Sequence, residues 1–358
     1  MPKKIKIAGA GLSGLTAGMV LAKEGREVEI HELTNSIGNR FGDDFQGLEN
    51  WTKKIDVIEQ FQSLGIPTDF EFFPTKELSV ISPKGKIYSF SSRRNFYYLI
   101  RRGKQNGRLD STFFEKAKNF GAKVIFNSKL PSNEMDIDAT GPKVTSAMAF
   151  GFTFKTDKKS RNFMILDNDL APKGYAYCLT REGWGTVATA FYGNYQKGKI
   201  YLEKTLQRFK EILGLPHEEL HYFACRGSYF PTQTLKRNKT LLVGESGGLQ
   251  DYLLGFGLRY AILSGYFAAQ SILQNKDFDK LWKREFQKPL NASLVNRFAF
   301  EKFRNEDFEK VLPNIGSEES LHKFLTKVYN LGLATSFAFP IIKWKLKDRF
   351  TKFEQDLI

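Results

Sequence analysis

The chain has 358 residues, 41% of them hydrophobic, two cysteines and a formal net charge of +15. That length allows two domains with a sizeable core, and that apolar fraction excludes a mainly disordered protein. The two cysteines, Cys178 and Cys225, lie far apart, which excludes a disulfide framework and a C-x-x-C redox centre, so both are expected to be ordinary buried residues.

Met1-Pro2-Lys3-Lys4 leads straight into an apolar strand, Ile5 to Ala8. No room is left there for a secretory or transit peptide, so a cytoplasmic protein is expected. No apolar run reaches the about 18 residues of a spanning helix. Gly9-Ala10-Gly11-Leu12-Ser13-Gly14 follows the strand and opens a helix over Leu15 to Glu24. This G-x-G-x-x-G sits in the strand–turn–helix setting that makes it a nucleotide motif. Gly9 serves the turn, Gly11 lets a pyrophosphate approach the backbone, and Gly14 lets the helix lie close on the sheet. Free N–H groups at the helix start then face phosphate.

Gly25-Arg26 ends that helix, and Glu27 to His31 reads as a second strand carrying Glu32 at its tip. A carboxylate there accepts from a ribose 2′-OH and repels a 2′-phosphate, which selects FAD or NAD over NADP. Residues 36–51 are rich in Gly, Asn and Asp and read as an ordered loop, whose Arg40 suits either a reach to cofactor phosphates or a place on the surface. Asp56 to Leu64 has helical spacing and stops at Gly65-Ile66-Pro67. Leu78 to Ile81 and Ile87 to Phe90, joined by Pro83-Lys84-Gly85, form a hairpin signal that interrupts the nucleotide fold and marks an inserted domain.

Lys84, Lys86, Arg93, Arg94, Arg101, Arg102, Lys104 and Arg108 fall in a stretch without acids, interleaved with aromatics. Such a run suits a solvated face, cofactor phosphates, an anionic membrane or nucleic acid. Asp110 to Phe120 is a helix and Lys123 to Phe126 a strand that restores the parallel sheet, as does Ile137 to Pro142. Short strands over Ala147–Phe154, Asn162–Leu166, Tyr175–Leu179 and Thr186–Tyr192 build a second sheet, and Leu202 to Leu213 is an amphipathic helix. Thr240 to Val243 is an apolar strand, Gly244-Glu245-Ser246-Gly247-Gly248 a turn, and Phe256 to Gln274 a long helix. The last 80 or so residues read as helical. Within them Tyr329 to Trp344 is too short to cross a bilayer and suits either an interfacial anchor or a packed helix.

Gly244 to Gly248 also satisfies G-x-S-x-G, the nucleophile elbow of hydrolases, but only His322 lies downstream and no matching acid is seen. His217-Glu218-Glu219-Leu220-His221 spells H-E-x-x-H, yet Pro216 opens it and no third ligand is apparent, so no metal site is expected.

Four separated stretches together resemble the geranylgeranyl-reductase-like FAD-dependent oxidoreductases, which share the fold of the aromatic-hydroxylase flavoproteins. They are the glycine motif ending in Glu32, the run from Tyr98-Leu99-Ile100-Arg101-Arg102 through Asp110 to Val124, the strand Asp138-Ala139-Thr140-Gly141-Pro142, and Val243 to Gly265. The resemblance covers most of residues 1–275. It implies that Glu245 bonds the ribityl chain in place of aspartate, with Gly244 beside it. It implies too that Gly255, Phe256, Gly257 and Leu258 present backbone N–H groups to the isoalloxazine. Arg102 would approach the ribityl-phosphate region, Val124 would touch the adenine through its backbone, and Gly141 would be a further cofactor-binding position. Tyr175, Tyr177 and Trp184 match an aromatic substrate strand, though plain core packing would look the same. Tyr252 departs from the family's proline, and the loop after Glu32 lacks the cysteine that some of these reductases place over the flavin.

The expected fold is α/β: a discontinuous Rossmann-type FAD domain (1–69, 96–146, 232–275), an inserted β-sheet substrate domain (70–95, 147–231) and a helical region (276–358). The expected function is FAD-dependent reduction of a carbon–carbon double bond in an apolar isoprenoid or lipid-like molecule, a fit to the 33 phenylalanines and the basic stretch. No second glycine motif is present for NAD(P)H, so NAD(P)H or ferredoxin would serve as a transient reductant. A flavin monooxygenase, or a membrane-associated lipid-binding protein retaining FAD, are the alternatives. Nucleic acid is not an expected partner, because the basic run overlaps the cofactor arginine.

Overall fold

A computed structural model describes residues 3–215, 219–315, 320–330, 332 and 338–342. The first 32 residues fold as their pattern predicts. Strand Ile5–Ala8 leads through the glycine turn into helix Leu12–Lys23, which starts three residues earlier than the spacing suggests, and strand Val28–His31 follows. Those strands run parallel at the centre of a six-stranded sheet ordered 236–237, 240–242, 137–138, 5–8, 28–31, 123–125. All its pairings are parallel except the edge pair Lys236–Arg237 with Thr240–Leu242. Helices Leu12–Lys23, Leu109–Asn119 and Leu258–Gln274 bury their apolar faces with this sheet in one large core. The carboxyl ends of its strands therefore open together on one edge, where such sheets bind ligands.

The second sheet has seven strands, ordered 219–227, 147–155, 184–191, 175–181, 161–165, 77–81, 87–91. It is antiparallel apart from Arg161–Ile165 alongside Glu77–Ile81. Helix Gly198–Leu213, closed by Gly214 in the left-handed conformation, covers one face, burying its Leu202 and Phe209 with Phe152, Phe154 and Val187. The other face looks toward the nucleotide sheet.

One loop expectation fails. Residues 45–49 form a strand, paired antiparallel with Tyr97–Arg101, which in turn pairs with Phe72–Thr75. Phe45-Gln46-Gly47-Leu48-Glu49 carries a central glycine and no alternation, so nothing local marks it as β. Partner residues far along the chain, Tyr97 to Arg101, all buried, supply the reason it is one.

Beyond residue 275 the described elements are helices: Phe278–Trp282, Lys288–Phe300, Asn305–Val311 and Ser320–Val328. A third core joins them to the small sheet and the hairpin through Trp51, Phe90, Tyr97, Leu312, Leu321 and Tyr329. Most of the Tyr329–Trp344 anchor segment lies outside the described residues, as do His217 and Glu218 of the H-E-x-x-H letters. Glu219 to His221 are strand, and no cluster of metal-ligating side chains occurs among the described residues. No described helix is long and apolar enough to cross a membrane.

Candidate functional site

A cleft of about 460 Å³ runs between the two sheets. One end is made by the glycine turn. Gly9 has φ +99°, and a Cβ there would lie 2.3 Å from the Ala139 carbonyl oxygen, so the turn packs on the strand-end loop after Asp138. Around Gly11 nothing lies within 4 Å of where a Cβ would be, no side chain caps the helix, and its first turn carries no acid. That leaves an open, positively poised helix start suited to an anion. Glu32 closes this end: its carboxylate accepts from the Ala10 N–H at 2.8 Å and from Thr34 N and Oγ at 2.9 and 2.8 Å.

The middle of the cleft is charged. Glu245, part-buried, accepts from the Ser228 N–H (3.1 Å) and lies 3.7 Å from the Arg40 guanidinium; desolvation raises its pKa, and Arg40 offsets this in part. Arg102 is buried and forks onto both carboxylate oxygens of Asp110 at 2.8 Å, with a third N–H to Gln46 at 2.6 Å and its plane 3.8 Å from the Phe41 ring. Burial works against its charge, but Asp110 more than compensates and holds the guanidinium charged. Gln250 donates to the Gly255 carbonyl at 2.8 Å, while its Oε1 is buried without a partner on the cleft wall. An open glycine cradle and an orphaned acceptor together fit a group that brings phosphate and an N–H.

The far end is apolar. Leu78, Phe163, Met164, Tyr177, Leu179 and Phe223 line it from the second sheet. Tyr175 reaches across to donate its hydroxyl to the Leu254 carbonyl at 2.5 Å. Phe256 packs between Trp51 (4.8 Å) and Tyr97 (6.0 Å), over Gly47, where a Cβ would come within 2.2 Å of the ring.

Of the residues singled out from sequence, Gly9, Gly11, Leu12, Ser13, Glu32, Arg40, Arg102, Gly141, Glu245, Gly255, Phe256, Gly257, Leu258, Tyr175 and Tyr177 line this one cleft. Gly14, Val124, Gly244 and Trp184 do not. A Cβ on Gly14 would lie 2.0 Å from the Gly9 oxygen, and one on Gly244 2.9 Å from Ser13 Oγ, so both serve packing beneath the site. Val124 packs behind the sheet, and Trp184 sits instead over the Arg101 guanidinium at 4.7 Å. Cys178 is buried as expected, but Cys225 corrects that expectation: it is half-exposed and faces the cleft. Sequence reading missed Asp44, Gln46, Tyr97 and Gln250, all on the cleft wall. Only the nearness of Asp44 and Gln46 to Arg40 hinted at them.

Ser246 is no nucleophile. Its side chain is fully buried and its hydroxyl bonds to the Asp138 and Val243 carbonyls at 2.5 and 2.8 Å. Nor do the arginines form one exposed face: Arg101 and Arg108 both pair with Asp43, and Arg108 also with Glu71 at 2.5 Å, whereas Lys84, Lys86, Arg93 and Lys104 remain exposed.

The fold is that of flavin-dependent oxidoreductases. A geranylgeranyl bacteriochlorophyll reductase-like protein of Thermoplasma acidophilum superimposes with a TM-score of 0.75 at 18% identity, over 96% of this chain and 98% of that one. A flavoprotein/dehydrogenase of Cytophaga hutchinsonii gives 0.65 at 14% identity over 99% and 100%, and a flavin-dependent brominase 0.62 at 13% over 98% and 100%. No protein-family model matches the sequence, and the search of curated proteins finds no match.

Proposed function

We propose that the protein binds FAD in this cleft and reduces a carbon–carbon double bond of an apolar, isoprenoid-like substrate. The observation that carries the reading is the continuity of one cleft from an open anion-binding helix start to an aromatic and aliphatic end. Gly11, Ser13 and the helix N–H groups would hold the diphosphate, Glu32 the adenosine ribose, and Glu245 the ribityl hydroxyls. Gln250 Oε1 would accept from the ring's N–H, and the backbone at Gly255 to Leu258 would donate to its carbonyl side. When bound, the flavin supplies two-electron transfer. The far end desolvates an apolar chain and, on hydrophobic grounds, favours substrates with buried methylene and methyl groups. NAD(P)H or a ferredoxin-type protein would be the transient reductant.

The test loads the purified chain with FAD, reduces it anaerobically with dithionite, and adds geranylgeraniol. Flavin reoxidation with a product heavier by two hydrogens per reduced bond is expected. Reoxidation only with oxygen, yielding a hydroxylated product, would instead make it a monooxygenase.

A further inference from the structure

Reducing an alkene needs a proton as well as a hydride, and three proton-bearing side chains from different parts of the chain line the cleft: Asp44, Tyr177 and Cys225. Asp44 stands just before strand Phe45–Glu49, 1% exposed, on the wall where the two sheets meet. Its Oδ1 accepts from the Gly42 N–H at 3.2 Å and its Oδ2 from Gln46 Nε2 at 3.0 Å. Among the described residues it has no ion-pair partner, since the neighbouring Arg102 is forked onto Asp110 and gives its remaining contact to Gln46 Oε1. Gln46 thus links Asp44 to the arginine without a direct ion pair between them.

We propose that Asp44 is the proton donor of the cleft. It rests on the flavin reading above. Asp44 gives its carboxyl proton to one alkene carbon, where the former π pair forms the new C–H bond. The other carbon would take a hydride, which the two-electron-reduced flavin would supply on being oxidised by two electrons. The Asp44 carboxylate is then reprotonated from water.

Acid strength separates Asp44 from its two neighbours. Burial pushes the Cys225 thiol up to about 11 and the Tyr177 phenol higher still, so neither releases a proton readily near neutral pH. Burial also raises Asp44, with Arg102 pulling the other way, which moves a carboxyl toward the range where a general acid works best. The charged and titratable groups around it are Arg102, Asp110, Tyr177 and Cys225. His221 packs against Gly42, and Arg40 and Glu245 act on the neighbouring Cys225.

The test compares the FAD-loaded full chain with Asp44→Asn and Asp44→Glu. Infrared difference titration is expected to show protonated-carboxyl intensity that persists above the ordinary carboxylate range, part of it contributed by Glu245 and Asp251 and so shared by every variant, with one component lost in Asp44→Asn and restored in Asp44→Glu. With dithionite and geranylgeraniol, turnover is expected to fall about 10²–10⁴-fold in Asp44→Asn at unchanged FAD content and KM, with partial recovery in Asp44→Glu. An infrared signal identical in Asp44→Asn, or full turnover by it, overturns the proposal. So does Asp44→Asn losing its FAD along with its turnover, which would make Asp44 a binding residue. A wild-type chain that takes up no FAD overturns the flavin reading first, and this role with it.

Discussion

Gly11 faces open space at φ −79°, whereas a Cβ on Gly14 would meet the Gly9 carbonyl oxygen at 2.0 Å. The two glycines of one motif therefore do different work, and substitution separates them. Gly11→Val is expected to fold with an unchanged thermal midpoint but to lose at least tenfold in FAD affinity, about 1.4 kcal/mol, because its side chain fills the phosphate's space. Gly14→Ala is expected to lose stability by about 1–3 kcal/mol or more, because backbone must move to admit it. Calorimetry with FAD titration checks both, and a Gly11→Val protein that binds FAD normally would sink the cradle. At this scale the motif was legible because its chemistry is local. Asp44 and Gln250 were not, because their meaning comes from what faces them across the cleft.

At the scale of elements, the loop between strand 240–242 and helix Leu258–Gln274 is pinned from outside. The buried Asp251 carboxylate accepts from the Leu254 N–H at 2.6 Å and from the hydroxyl of Tyr329, which directly follows helix Ser320–Val328, at 2.8 Å. Burial pushes its pKa from 3.8 up to about 6, although those hydrogen bonds pull it down. A carboxyl raised on folding binds more protons folded than unfolded between those two values. Stability should therefore fall as pH rises from about 4 to about 6 and then level off, by roughly 3 kcal/mol from this group at most. Thermal midpoints measured across that window should show the fall in the wild type and lack it in Asp251→Asn, whatever constant offset the substitution adds. An equal fall in both would remove Asp251 as its source. The βαβ start and the 77–91 hairpin were readable because each pairs with a near neighbour. The strand at 45–49 and the burial of Arg101 and Arg102 were not, because their partners, Tyr97–Arg101, Asp43 and Asp110, are identified only once the chain has folded.

Across the whole molecule, the site exists only where several distant parts meet. The glycine turn, the loop with Arg40 and Asp44, the second sheet and the 244–258 loop each supply one wall. The C-terminal helices brace that assembly: fully buried Arg297 donates to the carbonyls of Leu253 (3.2 Å) and Lys173, with its plane 4.0 Å from the Tyr192 ring. One arginine thus ties helix Lys288–Phe300 to both the cofactor loop and the second sheet. The measurement that tests the central claim most directly is the visible absorption spectrum of the purified, FAD-incubated protein, before and after denaturation. An oxidised-flavin spectrum that stays with the protein through desalting and is released as free FAD on unfolding is the predicted result. A protein that stays colourless after incubation would contradict the account.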